Sequence, residues 1–368
     1  MPSQPSGLPE GKPTGHIIGV DVGGTRIRAA VADVDGIIET EGSVLTDRRD
    51  AAVIDQLLTL FSQLTRQAGR EEAALRAAVI GVPGVPDHEA GVVRHIPNVP
   101  ALQRPEVISA LGASLAVLPD LENDVNLAAL GEWHAGSHDC TSLAALALGT
   151  AVGLGVVING TLFRGEHGTA GEIARLPFGG DPFDESSYEI GALETVVSTA
   201  GLVRAYRDSG GPAVTTAREV FDAAAAGARP AQRAIDQYAR NVARAVMAVQ
   251  AVLDPGVIAL TGGIGANPEL FERVASWLRR ARARPELLMR SRLGARAGLI
   301  GAIAAAAAIA TGVPVGHGAA PGIASGRLPV PDGTAGQHES GGAVRAARRP
   351  AEADVSLLAA PIRERPGN

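Results

Sequence analysis

Two distant stretches of this chain follow one pattern. GVDVGGTRIRAAVADVDG (19–36) and LALGTAVGLGVVING (146–160) each read as an apolar strand, a small-residue turn, a second apolar strand and an Asp-Gly or Asn-Gly turn. A hairpin of this kind cannot bury both faces alone. Two of them, far apart in sequence, suggest a duplicated half-molecule folded around one cleft; the bland alternative is a chance likeness of glycine-rich hairpins.

The segments between them alternate in kind. AAVIDQLLTLFSQLTRQAG (51–69) places Val53, Leu57, Leu60, Phe61 and Leu64 at helical spacing. AAVIGVPG (77–84) reads as a buried strand ending in a Pro-Gly loop, LAVLPD (115–120) as another strand, and NDVNLAALGEWHAG (123–136) as a helix. Residues 216–253 read as mostly helical, VIALTGG (257–263) as a strand, and Asn267-Pro268 as a capped helix start. This is an α/β chain. Its expected organisation is a disordered tail at 1–15 and a small N-terminal lobe at 16–118, completed by a helix around 294–312. A larger lobe spans 119–293, and 315–368 form a Gly-, Pro- and Ala-rich disordered tail.

Composition narrows the function. A net charge of −6 argues against general nucleic-acid binding. Cys140 is the only thiol, which excludes a disulfide framework and fits a cytoplasmic protein. The N-terminus has no signal-peptide core, and GLIGAIAAAAAIATG (298–312) is too short and alanine-rich to span a membrane. The abundance of Ala, Gly, Pro and Arg suggests a coding bias, so alanine runs carry little weight as signals. Lys12 is the only lysine and lies in the polar tail, so nucleotide chemistry here cannot use a Walker A lysine.

Several stretches carry chemistry. Asp21 runs into Gly23, Gly24 and Thr25, where the missing Cβ atoms let backbone N–H groups approach an anion. A carboxylate beside phosphate implies Mg²⁺, held directly or through water. The second hairpin offers Gly149 and Thr150 to the phosphates, but has Ala147 at the position of the carboxylate. Glu122-Asn123-Asp124 falls where a strand meets a helix, the usual place of ligands in open α/β sheets; a helix cap is the equal alternative. Thr261-Gly262-Gly263 leaves room for adenine and ribose, or makes a tight turn. His134 and His138 are four apart with Gly136-Ser137 between them, so a polar turn is favoured over a metal pair. Between 168 and 194 lie Glu172, Asp181, Asp184, Glu185, Glu189 and Glu194, either a solvated acidic loop or a wall that grips sugar hydroxyls.

IGVDVGGTRIRAAVAD, AVIGVPGVPD, HIPNVP, LENDVNLAALGEW, ALALGTAVGLGVVINGTLFRGEHGTAGE, GALE and IALTGG together resemble the ROK family (repressor, open reading frame, kinase), in that family's order and over roughly 17–312. Its kinases include glucokinases and N-acetylhexosamine kinases. The resemblance implies a two-lobed actin-like, ribonuclease-H-like ATPase fold with a central cleft. It implies Asp124 as catalytic base and Gly84, Asn98, Asn123, Glu172 and Glu194 on the sugar side. Asp21, Gly23, Gly24, Thr25, Gly149 and Thr150 would hold the phosphates, and Gly262 and Gly263 the adenosine. The chain departs from the family at its zinc knot. Arg175 stands in the histidine position, and Glu185, Ser187 and Ala192 in cysteine positions, so no structural zinc is expected. The loop is expected to hold itself by packing of Leu176, Phe178, Phe183 and Tyr188, with Arg175 pairing a neighbouring carboxylate.

The expected function is ATP- and Mg²⁺-dependent phosphorylation of a hexose or close relative. The expected partner is a small-molecule sugar, without direct nucleic-acid or membrane contact, and the expected assembly is a homo-oligomer, a dimer. The alternative is a non-enzymatic sugar-sensing regulator core. The residues before the first strand are too few for a helix-turn-helix module, and retention of Asp21 and Asp124 favours the kinase.

Overall fold

The computed structural model describes residues 15–312 except 48–51, 88–91, 95–99 and 137–139. The expected tails lie, apart from Gly15, outside the described residues.

The first half builds one sheet. Strands β1 (His16–Val22), β2 (Arg26–Asp33) and β3 (Ile38–Leu45) form an antiparallel meander, and α1 (Ala52–Gln67) follows. β4 (Leu75–Val82) pairs parallel to β1. A small ribbon, β5 (Val85–Asp87) with β6 (Val92–Arg94), precedes α2 (Pro105–Leu115), then β7 (Asp120–Asn123) and α3 (Asp124–Ala135). β7 pairs parallel to β4, so the order is β3-β2-β1-β4-β7, and this sheet draws its edge strand from beyond residue 118.

The second half repeats the plan. β8 (Ser142–Leu148), β9 (Val152–Ile158) and β10 (Thr161–Leu162) form the meander. Short helices α4 (Glu185–Ile190) and α5 (Glu194–Val197) precede α6 (Thr199–Asp208), α7 (Ala217–Ala225) and the long α8 (Arg229–Leu253). β11 (Val257–Thr261) leads into α9 (Gly262–Gly265) and α10 (Pro268–Arg280), and β12 (Leu288–Arg290) precedes α11 (Ala297–Ala310). The order is β10-β9-β8-β11-β12, the same sequence of antiparallel and parallel neighbours as in the first sheet. The likeness of the two hairpins is therefore a real structural repeat.

Strand alternation then builds layers. Ile18, Val20 and Val22 of β1 pack outward against Leu57 and Phe61 of α1 and Ile108 of α2. Ala144, Leu146 and Leu148 of β8 pack outward against residues of α6, α7, α8 and α10, including Leu202, Tyr238 and Leu270. The inner faces, Ile17 of β1 with Leu143 and Ala145 of β8, share a third core with Leu127 of α3 and Leu299 and Ile303 of α11. Two helices thus lie between two sheets.

Those two helices come very close. A Cβ built on Gly301 would sit 1.8 Å from the Leu127 carbonyl oxygen, and one on Gly131 2.2 Å from that of Ala297. Glu132, buried on the same helix as Gly131, accepts the Arg292 N–H at 3.1 Å and the Leu293 N–H at 3.3 Å, and also bonds the Ser291 hydroxyl. A buried carboxylate so satisfied fixes where α11 begins.

One strand reads differently from the expectation. LAVLPD is not a strand: α2 runs to Leu115, Ala116 takes a left-handed cap at φ 56°, and pairing with β4 begins only at Asp120. Pro119 has no N–H to give a ladder, which delays the strand to the polar residues DLEN.

Gly301→Ala adds helix propensity of about 1 kcal/mol but forces a methyl onto backbone oxygen. Overpacking should win, with a net loss of about 2 kcal/mol or more in denaturant unfolding. Unfolding of the variant at the wild-type midpoint would refute this close crossing.

Candidate active site

The inner-face position of β1 at its carboxyl end is Asp21, which lies opposite Arg28 in the β1–β2 ladder. Their side chains approach to 3.6 Å, and Asp21 is 14% exposed. Gly298 of α11 lies directly beneath: a Cβ there would be 3.1 Å from the Asp21 carboxyl carbon. The matching inner position of β8 is Ala147, so the repeat carries one carboxylate and not two.

Asp124 opens α3 on the same side. Burial pushes its pKa up to about 7, helped by the negative charge of nearby Asp21 and opposed by the Val125 N–H, which donates to Oδ1 at 2.9 Å. Burial also lifts Asp21 to about 6, against the pull of Arg28. The charge of Asp21 raises the proton affinity of Asp124, while Arg28 offsets part of the Asp21 charge. That donor set fits a hard divalent ion.

Asn123 is a helix cap: its Oδ1 accepts from Val125 N at 2.9 Å and Asn126 N at 3.0 Å. Its Nδ2 donates to the Gly84 carbonyl at 2.9 Å, joining two predicted site residues. Most of its hydrogen-bonding capacity is thus spent on holding Asp124 at the first turn.

The second hairpin turn is held from three sides. Thr199 donates from both N–H and hydroxyl to the Gly149 carbonyl, at 2.8 and 2.9 Å. Gly262, at φ +80°, passes so close to Leu148 that a Cβ would lie 2.5 Å from its carbonyl oxygen. Val152 N–H donates to Glu194 Oε2 at 3.1 Å. Burial raises the pKa of Glu194, Val152 lowers it and the charge of Glu172 raises it, which places Glu172 and Glu194 near one another. Cβ positions on Gly149 and Gly263 meet nothing within 4 Å, so both present open backbone. The α3 start joins this hairpin, since a Cβ on Gly153 would touch Val125 at 2.8 Å.

In the first hairpin, Gly23 N–H donates to Arg26 O at 3.1 Å, Thr46 Oγ1 to Gly23 O at 2.7 Å, and Thr46 N–H to Thr25 O at 3.0 Å. Gly24 and Thr25 form the turn itself, with Thr25 exposed. Asn98 and His138 lie outside the described residues. Among the described residues no group of His, Cys, Asp and Glu is placed to hold a metal ion by itself.

Sequence reasoning missed two cations. Arg164 donates from Nε to Glu122 Oε2 at 2.6 Å, while Glu122 Oε1 accepts Asn123 N and Asn126 Nδ2, both at 2.9 Å. Arg28 was legible in principle, because a hairpin turning at Gly24 sets position 28 against 21. Arg164 had no such local signal.

The acidic loop also needs correcting. Arg175 is exposed and makes no ion pair among the described residues. Phe183 and Tyr188 do not pack; they are 95% and 73% exposed. Leu176 and Phe178 do pack on the second core. The backbone does the rest: Leu193 N–H donates to Ala174 O and Gly180 N–H to Ala192 O, both at 3.0 Å. Ser187 and Ala192, in cysteine positions of the family knot, are buried.

Paired sheets of one topology, with a hairpin turn and an acidic helix start at their carboxyl ends, define the actin-like ATPase class of fold. The ROK family model matches residues 17–309, and the chain belongs to that family. It is 29% identical to a glucokinase from Halalkalibacterium halodurans over 67% of this chain and 80% of that protein. It is 28% identical to an N-acetyl-D-glucosamine kinase from Mannheimia succiniciproducens over 75% of this chain and 91% of that one. The solved ROK hexokinase from Thermus thermophilus superposes with a TM-score of 0.68 at 33% identity, covering 79% of this chain and 97% of its own. A ROK glucokinase from Streptomyces griseus, solved with glucose and AMPPNP, gives 0.65 at 25% identity over 79% and 99%. No helix among the described residues is long and apolar enough to cross a membrane.

Because Asp124 titrates near 7 in the fold and near 3.8 when unfolded, its protonated form stabilises the fold. That contribution is complete below the unfolded value and is lost as pH rises through about 7. Without nucleotide, Asp124→Asn should therefore be more stable than wild type at about pH 8, by on the order of 1–3 kcal/mol, with the gap closing toward about pH 4. A pH-independent gap in urea unfolding would contradict the buried pair.

Proposed function

We propose that this chain transfers the γ-phosphoryl group of ATP to a hydroxyl of a hexose or hexose derivative. The observation that carries this reading is the Asp21–Asp124 pair, set between two glycine hairpins in a chain of the ROK family. Asp124 takes the proton of the attacking hydroxyl as general base. Its position is fixed by the Asn123 cap, and Asn123 is fixed by Gly84 and Glu122. The Gly23-Gly24-Thr25 and Gly149-Thr150 turns present backbone N–H groups to the phosphates, and Gly262 and Gly263 leave space for adenosine. Asp21 would hold Mg²⁺ directly or through water; when bound, the ion neutralises charge on the phosphates. Catalysis rests on positioning and electrostatics more than on covalent chemistry.

Glu172 and Glu194 face the sugar, in company with Asn123; the family resemblance alone assigns Asn98 to the same role. The Val152 N–H on Glu194 then links sugar side to phosphate side through one hydrogen bond. The names of the relatives make glucose and the N-acetylhexosamines the first substrates to test.

A coupled assay of ATP consumption across a sugar panel tests the reading. Asp124→Asn should still bind sugar but lose about 10²–10⁴-fold in turnover. Because the base must be ionised, wild-type kcat/KM should rise with pH up to about 7 and level off above it. Asp21→Ala should stop MgATP turnover in a folded protein. A wild type that binds a sugar tightly yet consumes no ATP with any of them would favour the sensor reading instead.

A further inference from the structure

Glu122 stands on β7 immediately before the Asn123 cap and is 4% exposed. Its two carboxylate oxygens face different parts of the chain. Oε1 accepts the Asn123 backbone N–H and the Asn126 side-chain amide of α3, both at 2.9 Å. Oε2 takes both Nε and Nη2 of Arg164, at 2.6 and 2.5 Å. Only a guanidinium offers two N–H groups in such a fixed fork. The pair therefore joins the edge strand of the first sheet to the chain that leaves β10 of the second. Taking both groups out of water offsets much of their attraction, so the pair contributes orientation more than stability.

Arg164 opens the segment 164–172, whose last residue is Glu172. The segment closes on itself, with the Ala170 N–H on the Arg164 carbonyl at 3.0 Å. Its far end is pinned to β9. Leu154 N–H donates to the Gly171 carbonyl at 3.2 Å, and Gly171, at φ +91°, would set a Cβ 1.9 Å from the Leu154 oxygen. Its middle merely approaches the first half of the chain, where a Cβ on Gly168 would meet the Pro86 carbonyl oxygen at 3.9 Å. That contact has no direction. The Arg164 fork does, and it ends on the carboxylate that also holds the Asn123–Asp124 turn.

We infer that Arg164 is a positioning residue for the sugar. Through Glu122 it sets the segment that ends in Glu172 at a fixed distance from the Asn123–Asp124 turn. This inference rests on the sugar-kinase reading above, and Arg164 acts in it without touching the sugar. Glu122 spends its oxygens on that turn and on Arg164, not on either glycine hairpin. Loss of the fork should therefore reach the sugar and spare the nucleotide.

Glucose and N-acetylglucosamine are the probes. Arg164→Gln should raise the sugar KM, and the sugar Kd measured by calorimetry without nucleotide, by about tenfold or more. The KM for MgATP should stay within about twofold and kcat within about threefold of wild type. Arg164→Lys, which keeps the charge on a single donor, should recover part of the loss. Because Arg164→Gln strands a buried carboxylate, the double variant Arg164→Gln/Glu122→Gln is measured beside it. It should show the same loss of sugar affinity and no further one, as expected for two residues acting as a unit. A further readout needs neither sugar nor ATP. Hydrogen exchange over 164–173, which contains the bonded amides of Ala170 and Ile173, should quicken by about tenfold or more in both variants, while exchange in α11 stays as in wild type. Sugar and MgATP constants that move together, or an unchanged sugar affinity, would reduce the pair to a structural one and overturn the inference. Unchanged exchange over 164–173 would overturn it as well. A wild type that takes neither sugar would count against the kinase reading instead, and the exchange measurement alone would then decide whether Arg164 holds the segment.

Discussion

The crossing of α3 and α11 holds the molecule together. At Gly131 and Gly301 backbone meets backbone with no side chain between them, so the helices can share the single layer available between the two sheets. Dispersion contacts fall off steeply with separation, and a crossing one methyl wider would loosen every apolar contact across it. The same helices carry the site: α3 begins with Asp124, and α11 places Gly298 under Asp21. Packing and chemistry therefore depend on one geometry.

The repeat is an economy with one deliberate break. Both sheets supply a hairpin turn at the carboxyl end of their central strand, and both turns are tied down, by Thr46 in one and Thr199 in the other. Only the first keeps a carboxylate. Had Ala147 been an aspartate as well, a third acid would join Asp21 and Asp124, and the rise in proton affinity that Asp21 already causes at Asp124 would grow. The asymmetry leaves one hairpin acidic and the other neutral at the matching position.

Much of this could be read from sequence because it is local. Strand period, Asp-Gly and Asn-Gly turns and the Asn-Pro helix start depend on neighbours a few residues away, and α/β alternation followed from them. The Asn123 cap was one of two readings that spacing left open, and the structure shows the capping bonds. What escaped depends on distant residues. Arg164 meets Glu122 across 42 positions, and Glu132 meets Arg292 across 160. The alanines of α11 were set aside as compositional bias, yet Ala302, Ala305 and Ala306 are buried where larger side chains would have no room. Phe183 and Tyr188 erred the other way: apolar character suggested packing, but Phe183 lies in a loop and Tyr188 on the outer side of the short α4, both facing solvent.

The packing of α11 on the first sheet has a consequence for how the chain is made. β1 is made long before α11, the last described helix, which covers the inner face that β1 shares with β4. At about 5–20 residues per second, that face waits on the order of tens of seconds for its cover. Throughout this interval Ile17, Ala77 and Val79 belong to an open apolar surface. The inner faces of β1 and β4 thus stay without this cover until α11 has been made.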